Sequence, residues 1–571
     1  MAKVATSPLD LSVHSLLGVV FGVSFPGSIV LFATGMCFQD FTVALVGVLA
    51  LWASNMLYAC LDVKNRLLLL FCHMGIALFL LSRPFVALFD PRRGWLLSSV
   101  ETTNFALWAI FLALFFLCAG TAVYELMSKG NARWYRQKKG LFKKKIQPSP
   151  SINPLIKVQK LSKSERIACI RTAALVCFLV CLVGSLILGY QKLSYMQGLR
   201  YEEYYLINVD EHSSWIITTL SVMTPYLLCA YLATLPKRRP TMICLVFYII
   251  TTIPMLIIGS RNDFVLAVLF SLLYFVLRNV IDDEKWIGRK EAIVILVGIP
   301  IGVFFMGLLT YVRAGGGTTP DGFIAQIVDA FYKQGVTFTV LGRGYDVNPQ
   351  IQDLGFKFFT LGSLISNITQ GFIGQTFLGF TDLGSINSAE LALHGNAYAH
   401  TMSFFAHSNY LGGEGYGSSF VLEAYADFGY AGIAVISFLL GLCFAGLSRA
   451  IGKTWFMGMV ALMSLFGAFH MARGSAMEWI EFIWSTRFWF AMAFLAVVFV
   501  CFVLLRGYTT KTAPSVKMSI ATLPSLSGST RSSMLDCISV AGLNENALEC
   551  CNKYGMPVVG CQQPKRKRKR N

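Results

Sequence analysis

The sequence predicts an all-α, polytopic integral membrane protein with about twelve spanning helices and one large outer loop. Three observations predict it. Hydrophobic residues make up 55% of the 571 residues and charged residues only 14%, against roughly 25% charged in a soluble chain. Apolar runs of spanning length recur along the chain. The basic residues cluster after every second run.

Too few polar side chains are present to cover a soluble surface of this size, which excludes a cytosolic enzyme, a secreted disulfide scaffold and a long disordered protein. A spanning helix needs about 20 mostly apolar residues. The runs that meet this are 12–36, 40–61, 67–89, 103–126, 168–190, 214–235, 241–259, 263–280, 291–312, 428–448, 454–472 and 486–506. Pro26, Pro84, Pro254 and Pro300 fall inside runs, where neighbouring helices can satisfy the freed carbonyls. The first run reads as a retained anchor, since no cleavable leader pattern precedes it. Of the 15 cysteines, most lie in apolar runs and read as small hydrophobes. No metal spacing or disulfide framework is evident.

Lys and Arg number 48 against 30 Asp and Glu, a net charge of +18. The excess follows even-numbered runs: Lys64 and Arg66, Lys129 to Arg166, Lys237 to Arg239, Arg278 to Lys290, Arg449 and Lys453, then Arg506 onward. By the positive-inside rule these loops and both termini are cytoplasmic, with Arg92 and Arg93 as exceptions. The stretch 313–427 is then the large outer loop. A structureless loop of that length is unfavourable, so short amphipathic helices are expected in it. Phe323, Ile327, Val328, Phe331 and Tyr332 share one face over 322–334. Phe358, Leu361, Ile365, Ile368 and Phe372 do so over 357–373. The chain thus divides into a membrane domain, 1–506, and a basic, disordered cytoplasmic tail, 507–571, rich in Ser and Thr with Cys550 and Cys551. Its terminal Lys565–Arg570 block fits anionic lipid heads, and no nucleic-acid partner is expected.

Ionisable groups beside spans are functional candidates, and they gather on the outer side: Arg261 with Asp263, Arg313, Arg343, the loop residues His394, His400 and His407, then Glu423 and Asp427. His470, Arg473, Glu478, Glu481 and Arg487 surround the last outer turn. Taken singly, each has a bland reading. Arg261 and Asp263 can pair structurally, and Glu423 and Asp427 can be a solvated helix face. Together, outward-facing guanidiniums suit an anionic ligand, because Arg grips phosphate in a fork. A neutral His or a carboxylate can take a hydroxyl proton. That combination fits glycosyl transfer from a lipid diphosphate, with arginines stabilising the leaving group. No D-x-D or Walker A motif appears, so neither a sugar-nucleotide transferase with a metal nor an ATP-driven transporter is supported, and no cofactor is expected.

Two segments carry a family resemblance. Gly415-Tyr416-Gly417-Ser418-Ser419, continuing through Glu423, Tyr425, Phe428 and Gly429 to Gly432, resembles the late-helix motif of the O-antigen polymerase (Wzy) family. Arg473-Gly474-Ser475 resembles that family's Arg-Gly turn, and Gly259-Ser260-Arg261 is a weaker match. The resemblance implies a GT-C-like, metal-independent glycosyltransferase of the bacterial inner membrane. It would polymerise undecaprenyl-diphosphate-linked oligosaccharide repeats on the periplasmic side, with a chain-length regulator and a flippase as partners. Arg261, Arg313, Arg343 and Arg473 would hold diphosphate, and His400, His407 or Glu423 would act as base. An O-antigen ligase shares this layout. A solute or polysaccharide transporter is the less favoured alternative, since no internal repeat is found.

Overall fold

The structure, a computed structural model, describes residues 8–90, 92–141, 162–196, 213–258, 260, 262–282, 285–293, 297–298, 302, 322–384 and 387–512. Two compact units divide the chain, Met1–Leu504 and Leu505–Asn571. The second is described only as the end of a helix, to Thr512; the remainder of the predicted tail lies outside the described residues.

The apolar runs become helices α1 (Pro8–Cys37), α2 (Phe41–Leu61), α3 (Leu67–Phe89), α4 (Val100–Leu141), α5 (Lys163–Tyr195), α6 (Trp215–Leu232), α7 (Arg238–Ile258) and α8 (Asn262–Ile281). Among the described residues the large loop forms seven short α-helices: α9 (Phe323–Gln334), α10 (Val336–Asp346), α11 (Asn348–Asp353), α12 (Gly362–Thr369), α13 (Phe372–Phe377), α14 (Ala389–His394) and α15 (Tyr398–Ala406). The chain then continues as α16 (Phe420–Ser448), α17 (Trp455–His470) and α18 (Thr486–Thr512). Ten of these, α1 to α8 with α16 and α18, are long and apolar enough to cross a membrane. Of the twelve predicted runs, 454–472 becomes the 16-residue apolar helix α17, and 291–312 lies mostly outside the described residues. Among the described residues no strand occurs.

Ends and breaks follow local chemistry. Asp40 caps α2 by accepting from the Thr42 and Val43 amides at 3.0 and 3.1 Å. Ser162 and Glu165 form a reciprocal capping box on α5. Helix α3 widens to a π-turn at Ala77–Leu81, one turn before Pro84. The predicted face over 357–373 is interrupted: a 3₁₀ turn at Phe359–Leu361 precedes α12, and Gly371 separates α12 from α13. At Gly371 a Cβ would sit 2.2 Å from the Asn367 carbonyl oxygen, so the glycine permits the sharp exit.

Helix α4 packs along α16, and small residues make the approach close. A Cβ at Gly120 would lie 2.1 Å from the Phe438 carbonyl oxygen, and one at Gly441 would lie 2.3 Å from that of Leu117. At one end of this pair Glu125, 6% exposed, accepts a bidentate bond from Arg66 at 2.7 and 2.9 Å, with Arg449 at 3.6 Å. Arg66 also stacks 3.5 Å over Tyr58. At the opposite end Arg93 bonds Asp329 of α9 at 2.7 Å and Asp90 at 3.3 Å. Of the two exceptions to the charge rule, Arg93 is thus neutralised in part by the large loop itself, and Arg92 pairs with Asp90 at 2.9 Å.

Removing Arg66 strands a buried carboxylate, which costs about 3–5 kcal/mol. Arg66→Ala should lower the midpoint of thermal unfolding of the detergent-solubilised protein well below wild type. Glu125→Gln in the Arg66→Ala background should recover part of that loss, because it removes the stranded charge.

Candidate active site

The site begins with a break in α16. Phe428 and Gly429 leave helical geometry, Gly429 at φ +63°, a left-handed conformation that favours glycine. The break sets Phe420–Asp427 apart from the longer part of the helix. Two carboxylates one turn apart on this outer piece are hydrogen-bonded, not solvated. Asp427 accepts from the Phe359 and Thr360 amides at 2.8 and 2.7 Å, which fixes the approach to α12. Glu423, 2% exposed, accepts from the Ser418 hydroxyl at 2.9 Å, the Ser475 hydroxyl at 3.1 Å and the Ala476 amide at 2.8 Å. The Phe420 amide donates to the Met471 carbonyl at 3.1 Å. One carboxylate thus ties the 415–419 segment to the 473–475 turn.

Helices α10 and α15 brace this piece. Phe105 stacks on Tyr345 and meets Tyr425, each at 4.5 Å between centroids. A Cβ on Gly344 would press on Leu422 and the Tyr398 hydroxyl. Asp346 accepts from Ser98 at 2.8 Å and Thr102 at 2.7 Å, anchoring α10 to the start of α4.

The braced elements border an open, polar-lined cavity of about 550 Å³. Glu423, Ser418, Arg473 and Ser475 form one wall. Ser363, Ser366, Asn367 and Gln370 form another, on one face of the chain through α12 at spacings of three and four residues. The sequence pattern over 357–373 marks the apolar face and leaves this polar stripe unmarked. The signal was present as the complementary face of the same periodicity. A second cavity, about 840 Å³, is lined almost wholly by apolar side chains, among them Phe85, Phe264, Leu269, Phe331 and Phe469.

The other predicted residues lie apart from this wall. Arg343 lies 4.6 Å over the Tyr416 ring, and His407 lies 4.6 Å from the same ring. His407 Nε2 is 3.4 Å from Glu414, and its Nδ1 accepts from the Asn409 amide at 3.1 Å. These residues make a second, more exposed cluster. His400, next to the cavity-lining Ala399, bonds the Tyr410 hydroxyl through Nδ1 at 3.1 Å; burial pushes its imidazole below the usual range, favouring the neutral ring. Arg261 and Arg313 lie outside the described residues. His394 is exposed at the end of α14. Behind Arg473, His470 Nδ1 lies 2.7 Å from Glu478 Oε1. Burial, with the Glu478 carboxylate beside it, pushes the Glu481 carboxyl up.

The sequence model for O-antigen polysaccharide polymerase Wzy matches residues 20–505, and the chain belongs to that family as a multi-pass membrane protein. No curated protein and no solved structure gives a match.

Glu423→Ala should leave the Ser418 and Ser475 hydroxyls and the Ala476 amide without their acceptor, a loss of about 1–3 kcal/mol for each buried group left unpaired. Glu423→Gln keeps one acceptor oxygen and should lose less. Thermal unfolding of both variants in detergent checks the order.

Proposed function

We propose that the chain polymerises undecaprenyl-diphosphate-linked oligosaccharide repeats into O-antigen or a related surface polysaccharide. It would act on the periplasmic side of the bacterial inner membrane, with both termini cytoplasmic, as a GT-C-like glycosyltransferase without a metal cofactor. The observation that carries the reading is the meeting of both family motifs on one polar cavity, joined through Glu423.

In this reading Arg473 faces the diphosphate and stabilises the charge that develops as it leaves, an effect worth about 10²–10³ in rate for a single preorganised donor. The polar stripe of Ser363, Ser366, Asn367 and Gln370 suits sugar hydroxyls. Glu423 positions the Arg473 turn. Arg343, with His407 and Tyr416, is assigned to the incoming repeat, and His400 to the cavity margin. Arg261 and Arg313, outside the described residues, are assigned to the same diphosphate. The large apolar cavity includes Phe469, next in sequence to His470, which agrees with a substrate carried on a lipid. A chain-length regulator and a flippase would act alongside.

The test is the lipopolysaccharide or capsule ladder of a deletion strain complemented with wild type or Arg473→Ala. Wild type should restore the ladder. Arg473→Ala should leave core plus one repeat, and Arg473→Lys, which keeps the charge without the fork, should give short chains. An unchanged ladder on deletion overturns polymerisation. Loss of all surface repeats with polymer retained on the carrier points to ligation.

A further inference from the structure

We infer that His470 is the proton acceptor for the attacking sugar hydroxyl and that Glu478 is its positioning residue; this rests on the polymerase reading. His470 Nδ1 and Glu478 Oε1 are 2.7 Å apart. An ionised carboxylate can only accept, so Nδ1 is the nitrogen that donates to Glu478, and whenever the ring is neutral Nε2 is the nitrogen with a free lone pair. Nε2 faces the Asn262 amide nitrogen at 3.5 Å, the long limit of a hydrogen bond and one a substrate hydroxyl can displace. The side chains of His470 and Glu478 are 23% and 26% exposed, partly shielded yet reachable.

Three features tie the pair to the site. The Arg473 amide donates to the His470 carbonyl at 2.7 Å. The His470 ring stands edge-on to Phe79 at 5.9 Å, and the Arg473 guanidinium lies 5.9 Å over the same Phe79 ring, which is carried on the π-turn of α3. Gly474, which lines the polar cavity, leaves room for the pair: a Cβ there would fall 3.0 Å from His470 Nδ1 and 2.0 Å from Glu478 Oε2. The glycine of the Arg-Gly turn is thus explained by the histidine–carboxylate pair behind it. The other site histidines lack this arrangement. His400 bonds a tyrosine, and the Glu414 beside His407 is 61% exposed, where solvent weakens the pairing.

In the step, the acceptor hydroxyl gives its proton to Nε2 as its oxygen bonds the anomeric carbon. The bond from that carbon to the diphosphate oxygen breaks, and the diphosphate leaves with the electron pair toward Arg473. Glu478 stabilises the imidazolium through the Nδ1–H bond. The charged groups facing His470 are Glu478 and Glu481 from its own outer turn, Asp263 from α8, and Arg473 across Phe79.

The test uses purified protein in proteoliposomes, supplied with lipid-linked repeats extracted from membranes of a strain lacking the polymerase. His470→Gln should lower kcat by about 10²–10⁴-fold with KM for the lipid-linked repeat within about twofold, as expected when only transition-state stabilisation is lost. Its residual rate should rise with pH, as hydroxide takes over the proton. Glu478→Gln should fall between His470→Gln and wild type, and Glu478→Asp should recover part of the rate. A His470→Gln kcat within about threefold of wild type overturns the inference, as does a change confined to KM. If His470→Gln is not monodisperse in detergent, Glu478→Gln decides: wild-type kcat there overturns the inference, and a reduced kcat at unchanged KM supports it. Wild-type protein that forms no polymer overturns the polymerase reading itself, and the base with it.

Discussion

The rest of the site depends on one buried carboxylate. Glu423 is held by two hydroxyls and one amide, all of them neutral donors. A carboxylate in this position is tolerated only while those donors are in place. Its desolvation therefore works as a constraint on the chain that supplies them. Ser418 lies just before the helix, five residues from Glu423, whereas Ser475 and Ala476 lie 52 and 53 residues beyond it. The side chain fixes a distance that no local propensity could fix. Asp427, one turn later, does the same for the backbone leading into α12. Gly429 makes this possible: by leaving helical geometry it lets the short outer piece of α16 face the loop, while the longer piece keeps its close packing against α4.

Charge is handled differently at the two ends of the α4–α16 pair. At one end Glu125 sits between Arg66 and Arg449, a buried cluster that joins the α2–α3 turn to both helices. At the other, Arg93 reaches out to Asp329 and holds α9 down, with Lys333 on the same carboxylate at 2.9 Å. The Tyr332 hydroxyl adds a bond to the Gly94 carbonyl at 2.9 Å. Of the two basic residues that break the charge pattern, Arg93 attaches the large loop, whereas Arg92 pairs locally with Asp90 at 2.9 Å. A pattern rule counts charges by side of the membrane and is blind to a cation whose partner arrives 236 residues later.

Spanning helices were legible in the sequence because the bilayer imposes a length and a composition on each of them. The short helices of the loop were legible where apolar residues recur at helical spacing, as over α9. The reading ran past the break at Gly371 because an apolar face can continue in register across a gap that backbone crowding enforces. The candidate site was legible in part. Glu423 and Arg473 stood out as charges beside spans, and the structure brings both to one cavity. What joins them did not stand out, since Ser418 and Ser475 are small polar residues with no periodicity to mark them. The polar stripe of α12 was hidden behind its apolar face. His470 and Glu478 were visible as charges, but their pairing depends on a turn whose geometry Gly474 permits, and one glycine in 49 carries little signal alone.

The turn between α17 and α18 therefore serves several parts of the site at once. Its first residues extend α17 and receive the Phe420 amide at Met471. Its middle supplies Arg473 and Gly474 to the cavity. Ser475 and Ala476 close on Glu423, and Glu478 folds back on His470. Groups joined through so short a backbone cannot be perturbed independently, and substitutions among them are expected to couple. The resemblance between this turn and a three-residue family motif understates what holds it. The arginine is placed by a carboxylate on another helix, and the glycine is required by a histidine one turn earlier. The motif is short because most of its constraints come from residues distant in sequence.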